Sequence, residues 1–216
     1  MAGSPDSHGN AGFEQPASFV LDSESEAEIA KLVAKYPPGR QASAVIPSLY
    51  VVQRQMKRQT GSAWVPVKAM DAVAHRLGMA PIRVYEVATF YFMFNTNPIG
   101  TYHLQVCTTT PCWLRGSDEV TKTCRELTGI KGWGETSEDG MFTMTEVECL
   151  GACVNAPILQ VDDDFFEDMD AAKVKTLIEA LRRGERPKVG SMAGRQGSAP
   201  DGGPTTLTTL SFAPEA

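Results

Sequence analysis

Cys107 and Cys112, with four residues between them, are answered after 36 intervening residues by Cys149 and Cys153, with three between them. Four of the five cysteines in the chain sit in these two windows, so a fold that uses both pairs must bring two distant loops to one place. Four thiolates can close a tetrahedral zinc site or hold an iron–sulfur cluster. The first spacing suits either. The second is less usual for zinc, whereas a [2Fe–2S] cluster is wider than one ion, needs two ligands on each iron and tolerates unequal loops. The pattern matches neither the plant-type ferredoxin spacing nor a redox C-x-x-C. A Rieske centre needs two histidines, and only His103 is near. Spacing alone therefore favours iron–sulfur and leaves zinc, disulfides and unrelated thiols open.

The surroundings of the cysteines narrow the choice. With its four thiolates, a [2Fe–2S] cluster is a dianion when oxidised and a trianion when reduced, so it calls for backbone N–H donors. Cys112 lies just ahead of a helical pattern, whose first N–H groups can point at sulfur. Gly151 is expected to let the backbone approach without a Cβ in the way, and Pro111 and Pro157 to stiffen the two loops.

With ECLGACVNAP at residues 148–157, Cys107-x4-Cys112 and VATFY at residues 87–91, the chain resembles a known family. These are the 24-kDa, thioredoxin-like [2Fe–2S] ferredoxin subunits of NADH:quinone oxidoreductase, respiratory complex I. The resemblance runs from about residue 20 to about residue 185 and departs at no ligand position. It implies that Cys107, Cys112, Cys149 and Cys153 hold one [2Fe–2S] cluster. It also implies that FMN and NADH are bound by a partner flavoprotein subunit, with the larger iron–sulfur subunit of the complex as a second neighbour. The cluster would exchange single electrons with that FMN off the main line to quinone, storing an electron and limiting leakage from flavin to oxygen.

Periodicity divides the chain into an α+β arrangement: an N-terminal helical bundle, then a thioredoxin-like α/β domain. Residues 1–18, rich in Gly, Ser, Pro and Asn, read as a disordered tail. Residues 19–98 read as four helices. In the first, Ser23 and Glu26 suggest a capping box, with Ile29, Leu32, Val33 and Tyr36 as the apolar stripe. The second runs from about Ser43 to Gln59 with Pro47 early in it. The third starts at Pro66 and stops at Gly78, and the fourth follows Pro81 through the aromatic run up to Phe94. That run reads first as a core helix and second as a docking surface.

Residues 99–185 read as strand, helix, strand, strand, helix. Tyr102, Leu104 and Val106 alternate in a strand that delivers Cys107. A helix with Val120, Cys124 and Leu127 on one face ends at Gly129, making Cys124 a core residue. His103 reads as a polar surface or loop contact. Asp162–Asp164 reads as a hairpin turn, since a calcium loop's spaced ligands are missing. Asp168 or Asp170 caps a last helix striped by Val174, Leu177, Ile178 and Leu181. Residues 186–216 read as a flexible tail.

A net charge of −6 disfavours nucleic acid as a partner. No run approaches the ~20 apolar residues that span a bilayer. The start, residues 1–6, lacks the basic and apolar segments of a secretory leader. The expected setting is a reducing compartment: the inner face of a bacterial inner membrane, reached through the complex, or the mitochondrial matrix side for a trimmed organellar chain. No dinucleotide fingerprint, P-loop or Ser/His/Asp set is present, so no catalytic residue is expected in this chain. Competing readings are the small [2Fe–2S] subunit of an NAD-linked formate dehydrogenase or hydrogenase, a free ferredoxin, and a zinc-stabilised adaptor. Glu146 and Glu148, if they face the site, should lower the cluster's reduction potential.

Overall fold

The computed structural model describes residues 13–195 and Thr206. The readings of residues 1–12, 196–205 and 207–216 lie outside the described residues; the reading of residues 186–195 as flexible tail is corrected by the strand and hydrogen bonds that hold residues 190–195. The chain divides into two units. The first runs through Thr101 and takes in Asp139–Phe142; the second comprises Tyr102–Glu138 and continues from Thr143.

In the first unit, helix α1 spans Ser23–Val33. Its cap is Asp22, whose carboxylate accepts from the Ser25 N–H at 2.8 Å, rather than the expected Ser23. The cap lies one residue earlier because Asp22 is extended and already reaches the third helical N–H. A 3₁₀ turn, Gln41–Ala44, precedes α2, Val45–Thr60, so Pro47 falls in the first turn, where no hydrogen bond is lost. Pro66 is the cap of α3, Val67–Leu77, rather than its first residue, and Gly78 ends that helix at φ 64°.

Helix α4 covers only Pro81–Phe90; Tyr91 is extended. This corrects the reading of the aromatic run as a core helix. Val84, Ala88 and Phe94 are buried, but Phe90 is 72% and Phe92 89% exposed.

Ile29, Leu49, Val52, Met70, Val73, Leu77 and Val84 form one core, each contributing about 1.5 to 3 kcal/mol by leaving water. Two glutamines on α2 are buried with it. Gln55 donates to the Val20 carbonyl at 2.8 Å and accepts from the Asp22 N–H at 3.2 Å. Gln53 donates to the Met93 carbonyl at 3.2 Å and accepts from the Asn95 N–H at 2.9 Å. They bond backbone groups of the segments before α1 and after α4, which satisfies the buried amides of the two side chains. Gly100 passes so close to Met141 and Phe142 that a Cβ would meet their backbone at 2.9 Å.

The second unit opens with β1, Tyr102–Cys107, followed by a short α5, Thr110–Leu114, and by α6, Ser117–Thr128. Then come β2 (Glu135–Thr136), β3 (Phe142–Val147), β4 (Leu159–Val161), β5 (Asp164–Glu167), α7 (Ala171–Arg182) and β6 (Gly190–Ser191). The sheet order is β2-β3-β1-β4-β5-β6. Strands β1 and β4 are antiparallel with Val106 opposite Leu159, and β4 and β5 form a hairpin with Leu159 opposite Phe166. The acidic run is the turn of that hairpin, with Asp162 at φ 55°. Helices α6 and α7 pack on each other, and Val120 and Cys124 of the first and Val174, Leu177, Ile178 and Leu181 of the second are buried. Asp170 caps α7, accepting from the Lys173 N–H at 2.9 Å. Strands β2, β5 and β6 go beyond the expected pattern. Two of them are only two residues long, too short to show alternation.

Candidate iron–sulfur centre

Cys107 is the last residue of β1, and Cys112 sits inside α5. Cys149 follows the end of β3, and Cys153 opens the 3₁₀ turn Cys153–Asn155. The sheet order sets β3 beside β1, so two strands deliver both cysteine pairs to one end of the sheet. Cys107 and Cys112 are each 1% exposed, in a cluster with Ala156 and Ile158 that Val147, Leu150, Ala152 and Phe165 cover. Cys149 is exposed and Cys153 half-buried. All five cysteines are free thiols.

The Cys149 and Cys153 sulfurs are 3.4 Å apart; two thiolates on one tetrahedral metal stand about 3.7 Å apart for bonds of about 2.3 Å. Electrostatics tie the pairs together. Burial pushes the Cys112 thiol up to about 12, reinforced by the adjacent Cys107 sulfur and by Cys153. Burial also pushes Cys107 up, but hydrogen bonds from the Thr109 hydroxyl and N–H and from the Leu150 N–H outweigh it and hold that thiol below its ordinary value. The Gly151 N–H, helped by Cys153, holds Cys149 down. Cys149, then burial, and then Cys107 raise Cys153. Within each pair, ionising one sulfur disfavours ionising its neighbour, as expected where negative charges crowd together without cations.

Backbone N–H groups of Thr109, Leu150, Gly151 and Ile158 face the sulfurs. Sequence reasoning placed these donors at the start of the helix after Cys112; they come instead from the loop ahead of α5, the second cysteine loop and the approach to β4. Gly151 also serves differently from expectation. A Cβ there would meet nothing within 4 Å, so close approach is not its reason; its φ of 82° is, since L side chains avoid it.

Among the described residues, no three of His, Cys, Asp and Glu gather for a single ion. The four thiols stand two and two, in a partly dry pocket with N–H donors aimed at sulfur. That donor set fits a [2Fe–2S] cluster, which takes two thiolates on each iron.

His103 is 6% exposed and shares a hydrogen bond of 2.8 Å with the Thr145 hydroxyl, so it is a buried sheet residue rather than a surface contact. Cys124, fully buried on α6, belongs to the core, and burial raises its thiol to about 12. Glu146 and Glu148 are exposed, and Glu146 accepts from the Thr108 hydroxyl at 2.6 Å, beside Cys107.

Two features escaped sequence reasoning. Thr109 places its hydroxyl 3.3 Å from the Cys107 sulfur. Residues 190–195 return along β5 and strap the second cysteine loop. Ser191 donates to Asp168 at 2.6 Å, and Arg195 donates to Asn155 and lies 3.6 Å from the Asp168 carboxylate. Asn155, 1% exposed, also donates to Glu167. In sequence, only the polar Ser191 and Arg195 within a Gly- and Ser-rich segment hinted at the strap.

The family model described as thioredoxin-like [2Fe-2S] ferredoxin matches residues 29–182. An NADH-quinone oxidoreductase subunit of Rickettsia bellii is 48% identical over 165 residues, 76% of this chain and 95% of that one. NADH dehydrogenase [ubiquinone] flavoprotein 2, mitochondrial, of Dictyostelium discoideum is 46% identical over 189 residues, 88% of this chain and 74% of that one. Among solved structures, an NAD+-reducing [NiFe]-hydrogenase in the air-oxidized state aligns with a TM-score of 0.54 at 17% identity. That alignment covers 65% of this chain and 23% of the hydrogenase chain, a likeness of fold alone. The chain belongs to the thioredoxin-like [2Fe–2S] ferredoxin family.

Proposed function

We propose that this chain is the [2Fe–2S] electron-transfer subunit of an NADH:quinone oxidoreductase, with Cys107, Cys112, Cys149 and Cys153 as the ligands of its one cluster. The observation that carries the reading is the meeting of two cysteine pairs, one buried and one open to the surface, at one end of a sheet. The 48% identity to the Rickettsia bellii protein, over most of both chains, supports membership of a multisubunit oxidoreductase. It favours this reading over the formate dehydrogenase and hydrogenase alternatives.

A bound cluster supplies one-electron storage. The residues supply the rest. Cys107 and Cys112 anchor the inner side in a pocket closed by Leu150, Ala156 and Ile158. N–H groups from Thr109, Leu150, Gly151 and Ile158 offset the thiolate charge. Cys149, exposed, would hold the group near the surface, where little protein would separate it from a partner. Beside the ligands in sequence, apolar surface is left open: Trp113 is 56%, Leu114 70% and Val154 61% exposed. On this reading that edge docks the flavoprotein subunit that binds FMN and NADH, and the larger iron–sulfur subunit is a second neighbour. No described helix is long and apolar enough to cross a membrane. The chain then reaches the inner face of the bacterial membrane, or the matrix side in an organelle, through the complex.

Anaerobic purification of the full-length chain tests this. Two irons and two acid-labile sulfides per chain, with an EPR signal after dithionite reduction, are expected. A colourless protein with one zinc would overturn the reading.

A further inference from the structure

Thr109 occupies the cap position of α5 in an extended conformation (φ −70°, ψ 164°), where a threonine hydroxyl ordinarily accepts from a helix N–H. It makes no such bond. Its hydroxyl turns instead to the Cys107 sulfur, 3.3 Å away. The cap is given up although a helix normally gains about 1 kcal/mol from one.

We infer that Thr109 is a positioning residue for electron transfer: its hydroxyl donates to the Cys107 sulfur and so raises the reduction potential of the cluster that this ligand helps to hold. The inference rests on the four-thiolate reading above. When one electron is added, no bond breaks and the hydroxyl keeps its proton; only the negative charge on the sulfurs grows. A donor to sulfur stabilises the more negative state more, so it favours reduction. Glu146, held beside Cys107 by the Thr108 hydroxyl, works in the opposite direction. Neighbouring threonines thus act with opposite sign: Thr108 fixes an anion near the site, and Thr109 offers it a proton donor.

The test is an EPR-monitored redox titration of the full-length chain carrying its cluster, as wild type, Thr109→Val, Thr109→Ala and Thr109→Ser. Valine keeps the shape and removes the donor. Val and Ala are expected to shift the equilibrium three- to tenfold toward the oxidised cluster, a fall in potential of up to about 59 mV for one electron, and Ser to restore the wild-type value. A full EPR signal with an unchanged potential in Val and Ala overturns the inference and leaves the cluster assignment standing. Absence of any signal in the wild type overturns the cluster assignment itself. If Val alone loses the cluster, the Ala chain decides. If Val and Ala both lose it, the hydroxyl serves assembly rather than potential, and the inference is wrong.

Discussion

The two halves of the site are built differently. The first pair is locked into regular structure: Cys107 ends a strand paired on β4, Cys112 lies in a helix, and both are 1% exposed. The second pair sits on a loop whose lead cysteine faces solvent and whose other end is held by a strap from outside the family match, which stops at residue 182. An electron carrier needs both conditions. A dry, preorganised side keeps the cluster in place, and a thin outer side lets an electron cross to a partner. The buried side cannot adjust when a ligand is lost, whereas the exposed side can recruit water or a neighbouring oxygen.

The strongest expected effect follows directly. Cys107→Ser or Cys112→Ser should abolish cluster content, whereas Cys149→Ser or Cys153→Ser should leave a partly occupied site with a changed spectrum. Iron content and visible absorbance of anaerobically purified variants measure this, and equal loss from all four would erase the distinction between the halves.

Chemical reactivity sharpens the same contrast. Only the thiolate is nucleophilic. Among the four site thiols of the cluster-free chain, Cys149, exposed and held below its ordinary value, should alkylate first, and Cys112, buried and pushed up to about 12, last. Raising the pH from neutral should keep accelerating Cys112 toward pH 12 after Cys149 has levelled off. Site-resolved mass spectrometry would show the order, and a leading Cys112 would break the comparison.

The strap gives a middle-sized effect. Arg195→Ala removes the donor to buried Asn155 and the cation near Asp168. It should lower stability by about 1 to 3 kcal/mol. It should also speed loss of the cluster in a chelator challenge, whereas an exposed control such as Lys188→Ala should do neither. The smallest effect belongs to the outer carboxylates. Glu146→Gln or Glu148→Gln should raise the reduction potential by about 0.5 kcal/mol, or ~20 mV, because exposed charges act through high-dielectric solvent. A fall in potential would show that the carboxylates do not act by charge.

What was legible in the chain divides along the same physical line. Local chemistry announces itself. Gly78 closing α3, the stripe of α7 and the alternation of β1 follow from nearest-neighbour sterics and the periods of helix and strand. Contacts between segments far apart in sequence leave no such mark. Gln53 and Gln55 carry no sign in the sequence that they are buried, yet each bonds the backbone of a segment some 35 to 42 residues away. His103 read as surface until β3 came alongside with Thr145. The aromatic run after Pro81 read as core because hydrophobicity alone cannot tell which face a neighbour covers.

By itself, the sequence determined which atoms are available for the chemistry: four thiols in two short windows, a glycine between the second pair, and a string of residues that resembles a cofactor-binding family. The tertiary structure decided how unequal those thiols are. Burial and hydrogen bonding are properties of the surroundings, and the surroundings of Cys107 and Cys149 are assembled from segments distant along the chain. The Thr109 hydroxyl reaches a sulfur only two residues back, but whether it serves its helix or that sulfur is decided by the folded loop and not by the residue types.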